Sequence, residues 1–167
     1  MKWAGIGLLA LSIMAFGGWK QAALVARVRT LRAAELLCRR VGEEIRFTAA
    51  PPTDILAKLS SDGGLRELPF LAAFAAVLPR EYASRWQAET ADFARKNGLS
   101  DEEAAMLAEF GTALGTTDAQ SQQTHCAAFA ERFKTAVAAA EKDVAEKGRL
   151  YLSLGLLGAL AAALFCI

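Results

Sequence analysis

His125 and Cys126 are the nearest approach in this chain to a catalytic or metal-binding pair. The sequence holds one His and three Cys. Neighbours on a helix point about 100° apart, so the pair does not converge on one face. One turn away lie Ser121 and Gln122 on one side, Phe129 and Ala130 on the other. A zinc ion takes three or four nitrogen or sulfur ligands, and nothing here completes that set. A Cys–His nucleophile needs a third group to orient the base, which the sequence does not identify. Cys38 and Cys126 each fall on an apolar stripe, the usual place of a buried thiol. There is no Gly-x4-Gly-Lys-Ser/Thr phosphate loop and no paired-His motif. The expectation is a non-enzymatic chain without metal, cofactor or catalytic residue.

Charge is the next resource for function. Nineteen Lys and Arg face 18 Asp and Glu, a net charge of +1, which argues against a nucleic-acid binder. That balance is a cancellation. Lys20, Arg27, Arg29, Arg32, Arg39 and Arg40 stand against a single acid, Glu35, whereas residues 41–149 carry 12 cations and 17 anions. The basic run has two readings: a surface for anionic lipid or an acidic partner, or the positive flank that marks the cytoplasmic side of a membrane segment.

The apolar residues are also unevenly placed. They make up 54% of the chain, but no charge occurs in residues 3–19 or 150–167. The middle segment is about 48% apolar, as in ordinary soluble domains. A transmembrane helix needs about 17–25 apolar residues, so both ends sit near the short limit. The organisation expected is a transmembrane helix over 3–19, a cytoplasmic helical bundle over 20–149 and a second transmembrane helix over 150–167. A cleaved signal peptide is the other reading of the first segment, with Ala15-Phe16-Gly17 a poor cleavage site. Cations after the first segment and before the second place both termini outside. No ionisable residue interrupts either segment, so a transport path through this chain alone is not expected. Gly155, Ala159 and Ala162 share one face of the second segment, where another helix could approach closely.

Between these ends the pattern is helical. Leu24, Val28, Leu31, Ala34, Cys38, Val41 and Ile45 recur at spacings of three and four, predicting a helix from about Lys20 to Thr48. Pro51-Pro52 stops it. Thr53 is the expected cap of a short helix over 54–59. A helix over 68–78 begins at Pro69 and ends at Pro79. Residues 82–96 carry Trp86 and Phe93, with Asn97-Gly98 as a stop. Ser100 and Glu103 form a capping box for the next helix, through Phe110 and Leu114 to Gly115. Asp118 caps the last, which is expected to run uninterrupted into the terminal segment, about 75 Å in all. These six helices predict an all-α, antiparallel six-helix bundle whose first and last members extend into transmembrane segments.

Phe110-Gly111, Leu114-Gly115, Asp118, Ser121-Gln122-Gln123 and His125, followed by a charged helix and Ser153-Leu154-Gly155-Leu156, resemble the stage III sporulation protein AB family. Glu43-Glu44-Ile45-Arg46 ahead of Pro51-Pro52, and Trp86, agree with that resemblance across the whole chain. Phe47 stands where the family usually has Tyr-Gly, and the last helix is Ala-rich rather than Leu-rich. The resemblance implies a fold like the cytoplasmic domain of type II secretion inner-membrane platform (F) proteins. It implies a scaffold in the mother-cell membrane around the forespore, within a channel complex. The implied partners are a secretion-type ATPase (stage III sporulation protein AA), the other membrane subunits and the lipid bilayer, with no nucleic acid. Gly111, Gly115 and Asp118 have structural explanations in packing, helix termination and capping. Gln122, Gln123 and His125 are left as candidates for a partner contact or a solvated face. A membrane-tethered regulator or sensor, or a platform subunit of another secretion system, also fits the residues.

Overall fold

Leu31, Ala34, Cys38 and Val41 repeat at helical spacing, and the computed structural model buries all four along one helix. The structure describes residues 2–48, 50–148, 150, 153 and 157, excepting the side chains of 2–14 and 16. Among the described residues there are helices and turns and no strand. Helix α1 spans Lys2–Phe47, α2 Pro52–Leu59, α3 Tyr82–Asn97, α4 Asp101–Thr112 and α5 Ala119–Asp143. The six expected helical segments are all present, the third of them as a 3-10 helix, Pro69–Ala76. The chain divides into two units, and α1 and α5 contribute to both.

The unit Arg29–Val137 holds the core. The α2 helix packs on the 3-10 helix, and α3 pairs with α4. The 3-10 form at Pro69–Ala76 replaces the expected α-helix. A three-residue turn stacks positions i and i+3 in one line. Leu68, Leu71 and Phe74 share that line, and each is 1% exposed. The helix ends at an extended Val77, ahead of Leu78, which is 49% exposed. Thr53 is likewise not a cap. Pro51 occupies the N-cap of α2 without a side-chain bond, and Pro52 opens the helix with its φ already set. Thr53 is buried beneath it.

Aromatic rings fill the centre. Trp86 is fully buried and donates its indole N–H to the Leu107 carbonyl at 3.0 Å. Phe70, Phe74, Tyr82 and Phe110 surround it with ring centroids 5.6–6.2 Å away. Ser100 accepts from the Glu103 N–H and the Glu103 carboxylate accepts from the Ser100 N–H, the reciprocal cap expected for α4. Gly42 of α1 lies against Cys126 of α5, a Cβ at 42 falling 3.1 Å from the Cys126 Cβ.

The second unit joins the part of α1 up to Val28 with the chain from Ala138 onward. Arg27 donates to Asp143 at 3.2 Å, and Lys147 reaches the same carboxylate at 2.6 Å. Lys147 and then Arg27 hold the Asp143 carboxyl below its ordinary range. The expected uninterrupted last helix is corrected here: Val144–Gly148 is a π-helical turn. Gly148 packs beside Gln21 of α1, a Cβ there falling 3.6 Å from the Gln21 Cγ. Residues 3–19 are the first part of α1. No helix among the described residues is long and apolar enough to cross a membrane. Gly155, Ala159, Ala162 and most of 150–167 lie outside the described residues.

A Cβ at position 111 would overlap the Trp86 indole. Gly111→Ala is expected to lower stability by about 1–3 kcal/mol or more, as overpacking a filled core does. Gly63→Ala, with open space around it, should move the urea midpoint little.

Candidate functional site

The stretch Phe110–His125 closes α4 and opens α5, and most polar side chains in it have a local hydrogen bond. Gly115 has φ +79°, a left-handed value that favours glycine, and a Cβ there would approach Pro52 Cγ to 2.9 Å. Its N–H donates to the Gln122 side-chain carbonyl at 3.0 Å, while the Gln122 amide donates to the Thr117 carbonyl at 2.6 Å. Gln122 therefore clamps the turn from both sides. Asp118 accepts from the Ser121 N–H at 3.0 Å and from the Ser121 hydroxyl at 2.7 Å, capping the start of α5. The Ser121 hydroxyl and amide hold the Asp118 carboxyl below its ordinary range.

His125 is tied to the core rather than presented to a substrate. Its Nε2 lies 3.0 Å from the Phe110 carbonyl oxygen. An oxygen acceptor requires the proton on that nitrogen, which assigns the tautomer. The ring stacks on Phe110 at 5.8 Å with a 4° interplanar angle and meets Phe129 at 4.5 Å. Cys126 points to Gly42 on α1, so the His–Cys neighbours serve separate contacts. Burial pushes the Cys126 thiol up to about 11 and raises Cys38 further, which leaves little thiolate at neutral pH. No group of three His, Cys, Asp or Glu among the described residues could hold a metal. Of the three polar candidates, Gln122 and His125 are hydrogen-bonded within the chain. Gln123 is half-buried and makes no side-chain hydrogen bond among the described residues.

The basic run is distributed along α1. Arg39 pairs with Glu35 at 2.6 Å, and Arg40 with Glu43 at 3.2 Å and Asp62 at 3.5 Å. Arg27 pairs with Asp143, and the Lys20 ammonium lies 5.4 Å from the Trp19 ring centroid. Arg29 is exposed and Arg32 also has a partner. Much of the run is thus engaged within the chain.

One concavity of the core unit was not foreseen from the sequence. A groove of about 670 Å³ opens between the end of α1, α2 and the α4–α5 turn. Ile45, Phe47, Pro52 and Leu114 form its apolar walls, and Arg46, Tyr82 and Gln122 also line it. Phe47 is 73% exposed. The signal available was Phe47, four residues before the Pro51-Pro52 break, an aromatic residue with no following turn of helix to cover it.

Gln122→Ala should cost about 0.5–1.5 kcal/mol, the worth of a typical hydrogen bond, whereas Gln123→Ala should leave the urea midpoint in place. Asp118 contributes with the sign of a depressed carboxyl. Its contribution is complete well above the ordinary value of 3.8 and is lost as pH falls below it through the folded value. The stability gap between the wild type and Asp118→Ala should therefore narrow on acidification.

A family model described as stage III sporulation protein AB matches residues 2–167. No curated protein matches, and no solved structure matches. The match takes in both units and the whole Phe110–His125 turn, and the chain belongs to the stage III sporulation protein AB family.

Proposed function

We propose that this protein is a non-enzymatic scaffold of a sporulation channel complex, held in the mother-cell membrane around the forespore and coupling a cytoplasmic secretion-type ATPase to other membrane subunits. The family match over residues 2–167 is the observation that carries this reading. Membrane attachment is supported by the two uncharged terminal segments, 3–19 and 150–167, and by the cations that border them. On this reading the helical unit faces the mother-cell cytoplasm and resembles the cytoplasmic domain of type II secretion platform proteins.

A scaffold acts through fixed surfaces, and the chain is built to keep them fixed. The aromatic core around Trp86 and the clamped α4–α5 turn resist local opening. Residues 41–149 carry 17 anions against 12 cations, so the part of the helical unit that follows the basic run is net negative. A basic patch on the ATPase would be steered to it, with an affinity that falls as salt rises.

The experiment is reconstitution. The full chain in lipid nanodiscs, mixed with the ATPase, should bind it with a Kd of about micromolar order and change its turnover at low salt. Unaltered turnover together with no saturable binding at low salt would overturn the proposal.

A further inference from the structure

Two contacts fix how the start of α1 and the end of the chain run past each other. Arg27 bonds Asp143 at 3.2 Å, and Gly148 packs beside Gln21. Gln21 is six residues before Arg27, and Gly148 is five residues after Asp143, so the two segments are antiparallel. Trp19 stands two residues before Gln21, and Leu150 two residues after Gly148. At 1.5 Å per residue, both lie about 3 Å beyond the same contact and on the same side of it. Trp19 is also the last residue of the uncharged stretch 3–19, and Leu150 the first of the uncharged stretch 150–167. The charge therefore ends at one level on two segments that are far apart in sequence. At that level the side chains are open: Trp19 is 64% exposed and Leu150 53%, and Leu157 further along is 61% exposed. The Lys20 ammonium lies 5.4 Å from the Trp19 ring centroid. An exposed indole with a cation beside it, at the border of charged and uncharged chain, is the kind of group that anchors a protein at a bilayer surface.

We propose that the headgroup layer of a lipid bilayer crosses both segments at the level of Trp19 and Leu150, with both side chains turned to lipid. The two ends of one chain then enter one leaflet side by side. A lipid surface imposes a common level on every segment that enters it. A second copy or a protein partner imposes none. The distances agree with this placement. Arg27 is eight residues from Trp19, about 12 Å along the helix, which exceeds a headgroup layer of roughly 5–8 Å. The Arg27–Asp143–Lys147 cluster then stands in water, where its charges cost least. The inference rests on the membrane attachment proposed above and adds the level at which it occurs.

The test is fluorescence quenching on the full chain in phosphatidylcholine vesicles whose lipids carry bromine near the headgroup end or near the methyl end of the acyl chain. Flotation of the vesicles reads attachment separately. Trp3→Phe leaves Trp19 and Trp86 as emitters. Trp86 is fully buried in the core unit, so its emission reports that the fold persists. The Trp19 emission should be lost to bromine near the headgroup and largely kept with bromine near the methyl end. A second probe, Leu150→Trp combined with Trp3→Phe and Trp19→Phe, should show the same order. If the chain floats but its two probes differ in depth, are quenched mainly from the methyl end or escape both quenchers, the proposal is overturned and attachment stands. A chain that does not float overturns attachment and this proposal with it.

Discussion

The Trp86 indole lies against the backbone of Gly111, and the spacing of α3 and α4 follows from that contact. Any side chain at 111 would occupy the volume of the ring. The indole is held in place by its N–H bond to the Leu107 carbonyl, one turn earlier on the same helix. A carbonyl oxygen has two lone pairs, so this bond need not displace the helical one. Trp86 also sets what can surround it. Phe70 and Phe74 reach it from the 3-10 helix, Tyr82 from one turn before, and Phe110 from the residue preceding Gly111. A core this aromatic is sensitive to volume, since packed interiors relax only in part when one methylene is added or removed.

From Gly111 the same helix leads into the turn that shapes the outer groove. Phe110 carries His125 on its ring and on its carbonyl, so the first turns of α5 are registered to the end of α4. Gly115 then brings the chain against Pro52, where any side chain would collide, and Gln122 fastens the turn. The groove therefore borders residues placed by the core. Phe47 is exposed at its edge, while Tyr82 lines it with its hydroxyl buried.

How much of this was legible depended on range. The capping box at Ser100 and Glu103 and the Gly98 stop, at φ +66°, are local, and the residues named them. The helical unit around Leu31, Cys38 and Val41 was legible because burial repeats with the helical period. The 3-10 form of Pro69–Ala76 was not, because an apolar run without gaps carries no period to distinguish three residues per turn from 3.6. Thr53 looked like a cap because Ser and Thr often cap. The structure gave that position to Pro51 and the buried site to Thr53. Gln122 and His125 looked like free polar groups since their partners, Gly115 and Phe110, are seven and 15 residues away.

By itself the sequence determined the helical class, the capping box at Ser100 and the stop at Gly98, the uneven distribution of charge and the resemblance to one family, because each is written in neighbouring residues or in composition. Tertiary structure decided which glycines are filled by another element's side chain, which polar residues are consumed by the fold and where an open groove remains. The reason is distance along the chain. Trp86 meets Gly111, Pro52 meets Gly115 and Tyr82 comes to line a groove with Phe47 only when separate helices are brought together. No local pattern encodes an approach between residues that far apart.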